Sequence, residues 1–202
     1  MTKSKSRPVF NIRSNDDEDV VVSAGGVILY RINNNQLELL MMTNRGKYED
    51  LGGTTDNRDK DIYDTIAREV WEESNELIDE KSIRSRIEAM ALEKDMIISK
   101  TSKYVLFIMK ANSSEKKLTS EQFGDREIHD DIPRTVDWIS IDEFLKKETI
   151  KDKLNFRLKN KNVFDYLRKL NPNQPLVQPL VQESVQEQSE TPELNKNTVY
   201  LF

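Results

Sequence analysis

Apolar residues along this chain fall into short blocks set between polar and charged stretches. Four blocks, residues 20–30, 37–43, 104–111 and 135–140, are rich in β-branched and aromatic side chains and predict strands. The run Asn33-Asn34-Asn35 between the first two is a turn signal, so they predict a hairpin. Tyr104 to Met109 is apolar at every position, which predicts a strand covered on both faces and helices on both sides of a sheet. Residues 96–100 are a candidate partner for it across Thr101-Ser102. Residues 62–74 predict a helix, with Asp61 as candidate N-cap and Ile62, Ile66 and Val70 on one face. A second helix is predicted from Ser140, where Ser140-x-x-Glu143 has the capping-box pattern, and helix resumes over 163–170.

These blocks divide the chain into a flexible arm (1–19), a folded domain (20–170) and a Pro- and Gln-rich tail (171–202). The tail carries a degenerate repeat, Gln174-Pro-Leu-Val, Gln178-Pro-Leu-Val and Gln182-Glu-Ser-Val, and is too polar to bury a core; it is expected to be disordered. Among 202 residues there is no cysteine and one histidine, His129. Thiolate metal sites and disulfides are therefore excluded, and His-rich zinc sites and a Ser-His-Asp triad are disfavoured. Met1 to Asn15 has no apolar core and does not read as a signal peptide, and no apolar run is long enough to span a membrane. A cytoplasmic protein is expected. The net charge of -5 does not favour general binding to nucleic acid.

The chemistry is concentrated in Gly52-Gly53, a polar loop, and Arg68-Glu69-Val70-Trp71-Glu72-Glu73. At about 100° per residue, Glu69, Glu72 and Glu73 fall within an arc of about 100° on one helix face. Three like charges so placed repel one another, and they lie late in the helix, where the macrodipole disfavours anions. A hard divalent cation reverses that sign, because it takes oxygen ligands. Such a string by itself is also what a solvated helix face looks like, but the opposite face is apolar and a Gly-Gly pair precedes the helix by one loop.

Gly53, the loop and Arg68-Glu69-Val70-x-Glu72-Glu73-x-Asn75 resemble the Nudix box: a glycine, five residues, a glutamate, seven residues, then Arg-Glu-aliphatic-x-Glu-Glu-x-Gly-aliphatic. The flanks are similar to the family too, with Ala24-Gly25-Gly26-Val27 as its first strand. Phe123-Gly124-Asp125-Arg126-Glu127-Ile128 followed by Val136-Asp137-Trp138-Ile139 resembles its late loop and strand. The Asn-, Lys- and Ile-rich style resembles Nudix proteins of large DNA viruses, in which case the cytoplasm would be the host's. The resemblance implies an α/β fold, the Nudix-type α/β/α sandwich with a mixed β-sheet. It implies hydrolysis of a nucleoside diphosphate linked to another group, with Mg²⁺ or Mn²⁺ held by Glu69, Glu72 and Glu73 and with Arg68 orienting carboxylates. Three positions depart from the pattern. The loop is one residue longer, so the early glutamate is replaced by Asp59 or Asp61, or is missing; Asn75 stands in place of glycine; and Glu76 stands in place of an aliphatic residue, with Leu77 able to fill the gap.

On this reading a carboxylate, Glu72, Glu73 or the loop residue Glu127, takes the proton of the attacking water. Arg45 is a candidate phosphate contact or else a solvated turn residue, and Gly52 and Gly53 are expected to approach the substrate closely. Substrates in question are nucleotide sugars, ADP-ribose, dinucleoside polyphosphates, nucleoside triphosphates and capped RNA; the basic segment 151–169 is either a contact for RNA or a polyphosphate, or a solvated, apolar-backed helix. The alternative is a nucleotide- or RNA-binding module of the same fold without turnover.

Overall fold

A computed structural model of the chain describes residues 7–146, 150 and 152–171. The segment expected to be a flexible arm contains a strand, β1 (Phe10–Arg13), paired antiparallel with β2 (Asp19–Val22). Alternation explains it: Ile12, Val20 and Val22 are buried in the core while Asn11, Arg13 and Val21 face out. The apolar run 20–30 is thus not one strand. It breaks at Ser23, whose backbone bonds Lys103 and Thr55, and continues as β3 (Ala24–Asn33).

β3 turns through Asn34 and Asn35, both at positive φ (48° and 61°), into β4 (Gln36–Asn44), the expected hairpin. β5 (Lys47–Glu49) follows, paired antiparallel with the end of β4, and β6 (Leu51–Thr54) pairs with the first half of β3. β8 (Tyr104–Lys110) lies parallel to β3, with β7 (Ile97–Ser99) antiparallel on its far side, and β9 (Thr135–Ser140) pairs with β4. The result is a mixed seven-stranded sheet in the order β5-β4-β3-β8-β7, with β6 paired to the first half of β3 and β9 lying along β4.

The all-apolar strand β8 is covered on both faces, as its pattern requires. Val105, Phe107 and Met109 belong to one core, with α1 (Ile62–Glu73) and α2 (Glu80–Leu92); Leu106 and Ile108 belong to a second, with α4 (Ile141–Leu145) and α5 (Lys161–Leu170). The fold is α/β, with helices on both faces of a mixed sheet. A single turn of helix, α3 (Ser120–Phe123), packs near β9. α2 has no counterpart in the sequence reading, because its buried residues are only Ile83 and Ile87 and its other positions mix charged, small and part-exposed side chains. The tail from 172 on, with its repeat, lies outside the described residues. No helix among the described residues is long and apolar enough to cross a membrane.

Candidate active site

α1 starts at Asp61, whose carboxylate accepts the Asp64 backbone N–H at 2.8 Å, and its apolar face (Ile62, Ile66, Ala67, Val70) is buried. That anchorage turns the opposite face towards β6. The two glycines of β6 allow the approach. A Cβ on Gly53 would lie 2.2 Å from Glu69 Oε2, and one on Gly52 would lie 2.4 Å from the Gly25 carbonyl oxygen and the Gly26 Cα of β3. The close contacts these glycines permit are therefore with Glu69 and with a neighbouring strand. Gly52 also donates its backbone N–H to Glu73 Oε2 at 2.6 Å.

Arg68 organises the carboxylates. Its Nε and Nη2 grip both oxygens of Asp59 at 3.0 and 3.1 Å, and its Nη1 donates to Glu69 Oε1 at 2.8 Å and Glu72 Oε2 at 2.9 Å. Asp59 is itself fixed by the Thr65 hydroxyl (2.8 Å) and the Asp56 N–H (2.7 Å). Asp59 faces Arg68, whereas Asp61 caps the helix and pairs with Arg84. Asp59 stands six residues after Gly53, as the box glutamate does; the extra residue falls between Asp59 and Arg68 and does not remove the contact.

Glu69, Glu72, Glu73 and Glu127 line one cleft of about 460 Å³. Glu127 arrives on the loop between α3 and β9, far along the chain, and is buried. Burial pushes Glu69 up to about 7 against the pull of Arg68, with Glu72 and Glu127 adding repulsion. Burial, then the charge of Glu69, holds Glu73 well above the ordinary carboxylate value despite the Gly52 hydrogen bond. Glu127 is also raised, by burial and by Asp130. Asp59, although burial acts the other way, is held low by Arg68 and its other donors. The cleft thus gathers carboxylates for which negative charge is costly and a cation is favourable. As the side chains stand, no three of them form a finished metal cage among the described residues. Arg68 holds Glu69 and Glu72, in the place an ion would compete for. The donor set, all carboxylate oxygen, suits Mg²⁺ or Mn²⁺.

Arg45 is set apart from these groups. It sits exposed on the β4–β5 turn at φ 49° and is not among the residues lining the cleft. Several lining residues have no role in the sequence reading, among them His129, Arg7 and Arg134. His129 stacks on Trp71 with ring centroids 4.8 Å apart. Arg7 donates to the Thr54 hydroxyl from what was expected to be a loose arm. Arg134 is 3% exposed, with Nη1 on the carbonyls of Phe123 and Gly124 and with Nε and Nη2 unpartnered among the described residues. No spacing signal marks any of them. In the basic segment, Arg157 turns inward against Glu49 and the Tyr104 ring and Arg168 pairs with Asp165, while Lys153, Lys159, Lys161 and Lys169 are exposed. Leu77 does not fill the aliphatic position after the helix; it is 38% exposed, and Ile78 is the buried residue. A second cleft of about 390 Å³ lies beside Lys94, Lys100 and Tyr166, but these are paired with Asp17, Glu18 and Asp95.

No protein-family model matches the chain, and no functionally curated protein matches it. Two solved structures of an Ap4A hydrolase from C. elegans are similar to it. The binary complex has 17% identity and a TM-score of 0.39 over 74% of this chain and 94% of that one. The other has 17% identity and a TM-score of 0.37 over 74% and 96%. Likenesses of that size say nothing about what this chain acts on.

Proposed function

We propose that the chain is a Mg²⁺- or Mn²⁺-dependent hydrolase of the Nudix type, cutting a phosphoanhydride bond in a nucleoside diphosphate linked to another group. The observation that carries the reading is the meeting of Glu69, Glu72 and Glu73 from one helix with Glu127 from a distant loop in one cleft. Glu69, Glu72 and Glu73 would hold the ion. When bound, it supplies charge neutralisation and Lewis acidity towards the diphosphate and water. Arg68, fixed by Asp59, sets the rotamers of Glu69 and Glu72. Glu127 is the cleft glutamate whose carboxylate accepts no hydrogen bond among the described residues, and its raised pKa suits it to take a proton. It removes the proton as water attacks one phosphorus; the anhydride P–O bond breaks, and the other phosphate leaves with the electron pair.

The test is hydrolysis of a panel of nucleotide sugars, dinucleoside polyphosphates, nucleoside triphosphates and capped RNA, with Mg²⁺, Mn²⁺ and chelator. Turnover of at least one class that stops with chelator is expected, and Glu73→Gln should lower kcat about a hundred- to a thousandfold with the fold intact, the scale of losing an electrostatic group in a site. Full activity in that variant would rule the assignment out. The hold of Arg68 on two of the three box glutamates favours one second reading, a nucleotide-binding module without turnover. Ligand binding with no phosphate release across the panel would establish it.

A further inference from the structure

Asn75, one residue beyond the C-cap of α1, reaches across to the loop that carries Glu127. Its Nδ2 donates to the carbonyl of Arg126 at 2.9 Å, and its Oδ1 accepts the backbone N–H of Ile128 at 3.0 Å. One amide therefore binds the main chain on both sides of Glu127. The same Nδ2 donates to the Phe123 carbonyl at 2.7 Å, where the loop begins, and the buried Arg134 shares that oxygen at 3.0 Å. The loop's own bonds, Glu127 N–H to Ile132 and Arg134 N–H to Asp125, each 2.9 Å, close it on itself but not onto α1. The Asn75 backbone sits at φ 54° with its N–H on the Glu72 carbonyl at 3.0 Å, so the amide is fixed to the turn that carries Glu72 and Glu73. Asparagine tolerates this left-handed backbone and, unlike glycine, brings an amide with a donor and an acceptor.

We propose that Asn75 is a positioning residue that holds Glu127 in register with the carboxylates of α1. This rests on the reading of Glu127 as proton acceptor. Placement of a reacting group to within about 1 Å is worth on the order of a hundredfold in rate. Asn75→Gly keeps the backbone conformation and removes the amide; Asn75→Asp keeps the acceptor and sets an anion against two carbonyls. Both should lower kcat by about 10- to 100-fold, leave KM within about twofold and displace the acid limb of the pH profile of kcat. In a Glu127→Gln background, Asn75→Gly should change kcat by less than about twofold, because the two act as a unit. Equal losses in both backgrounds, or wild-type kcat in Asn75→Gly, overturn the proposal. Hydrogen exchange at the Ile128 amide reads the clamp without turnover: at least about tenfold faster exchange in Asn75→Gly is expected, and unchanged protection overturns it. A wild-type chain inactive on every compound sinks the hydrolase reading and the role of Glu127 with it, while exchange still reports whether Asn75 ties the loop.

Discussion

Glu73 concentrates the energetic tension of the site in one side chain. Burial and the charge of Glu69 raise its pKa well above normal, so in the metal-free protein its ionised form opposes folding. The sign follows from the raised folded-state pKa of an acid. Below the unfolded value both states are protonated and there is no penalty; as pH rises through the folded value the penalty grows to its full size. For Glu69, whose value moves from 4.5 to about 7, that window is pH 4.5 to 7. Glu73→Gln, which can still accept the Gly52 N–H, should therefore raise the Tm of the chelator-treated protein at pH 8, with a gain that shrinks towards pH 5. Scanning calorimetry at both pH values checks this, and a lower Tm at pH 8 contradicts it. At this scale the sequence was informative about the three helix glutamates and Arg68, because helix periodicity alone places them together. It left Asp59 and Asp61 open, because an inserted loop residue shifts the spacing while the fold restores the contact. It was silent on Arg134 and His129, whose roles come from what lies beside them in space.

α1 was legible as an element from its cap, its apolar face and its glutamates. The strands β4, β8 and β9 were legible within a residue or two of their ends. α2 was not, since two buried isoleucines at i and i+4 in a charged segment give little periodicity. β1 was hidden for a similar reason: one buried residue, Ile12, in a polar stretch does not declare a strand without its partner β2. α2 bears on α1 through Arg84, which pairs with Asp61 (2.8 Å) and Asp64 (2.5 Å) at the start of the site helix. Asp61→Ala removes both the cap and one of those pairs and should destabilise the protein by about 1–2 kcal/mol. Urea denaturation gives the value, and a loss below about 0.3 kcal/mol would mean that the cap does not anchor the helix.

On the scale of the whole molecule, the sheet serves as a frame that brings together segments distant in sequence. β6 offers the glycines, α1 the carboxylates, and the α3–β9 loop Glu127, with Asn75 joining the last two. Covering helices on both faces were readable from a single all-apolar strand. The cleft was not, because its walls come from pieces whose proximity depends on the strand order. The proposed hydrolysis requires this carboxylate cleft to grip a divalent cation in spite of Arg68. Titration of Mn²⁺ into the metal-free wild-type chain, followed by electron paramagnetic resonance, tests it most directly. Saturable binding at the cleft is expected, weakened at least about tenfold in Glu73→Gln, in keeping with loss of a charged ligand; wild-type chain that leaves Mn²⁺ free, or a variant that binds it equally well, would contradict it.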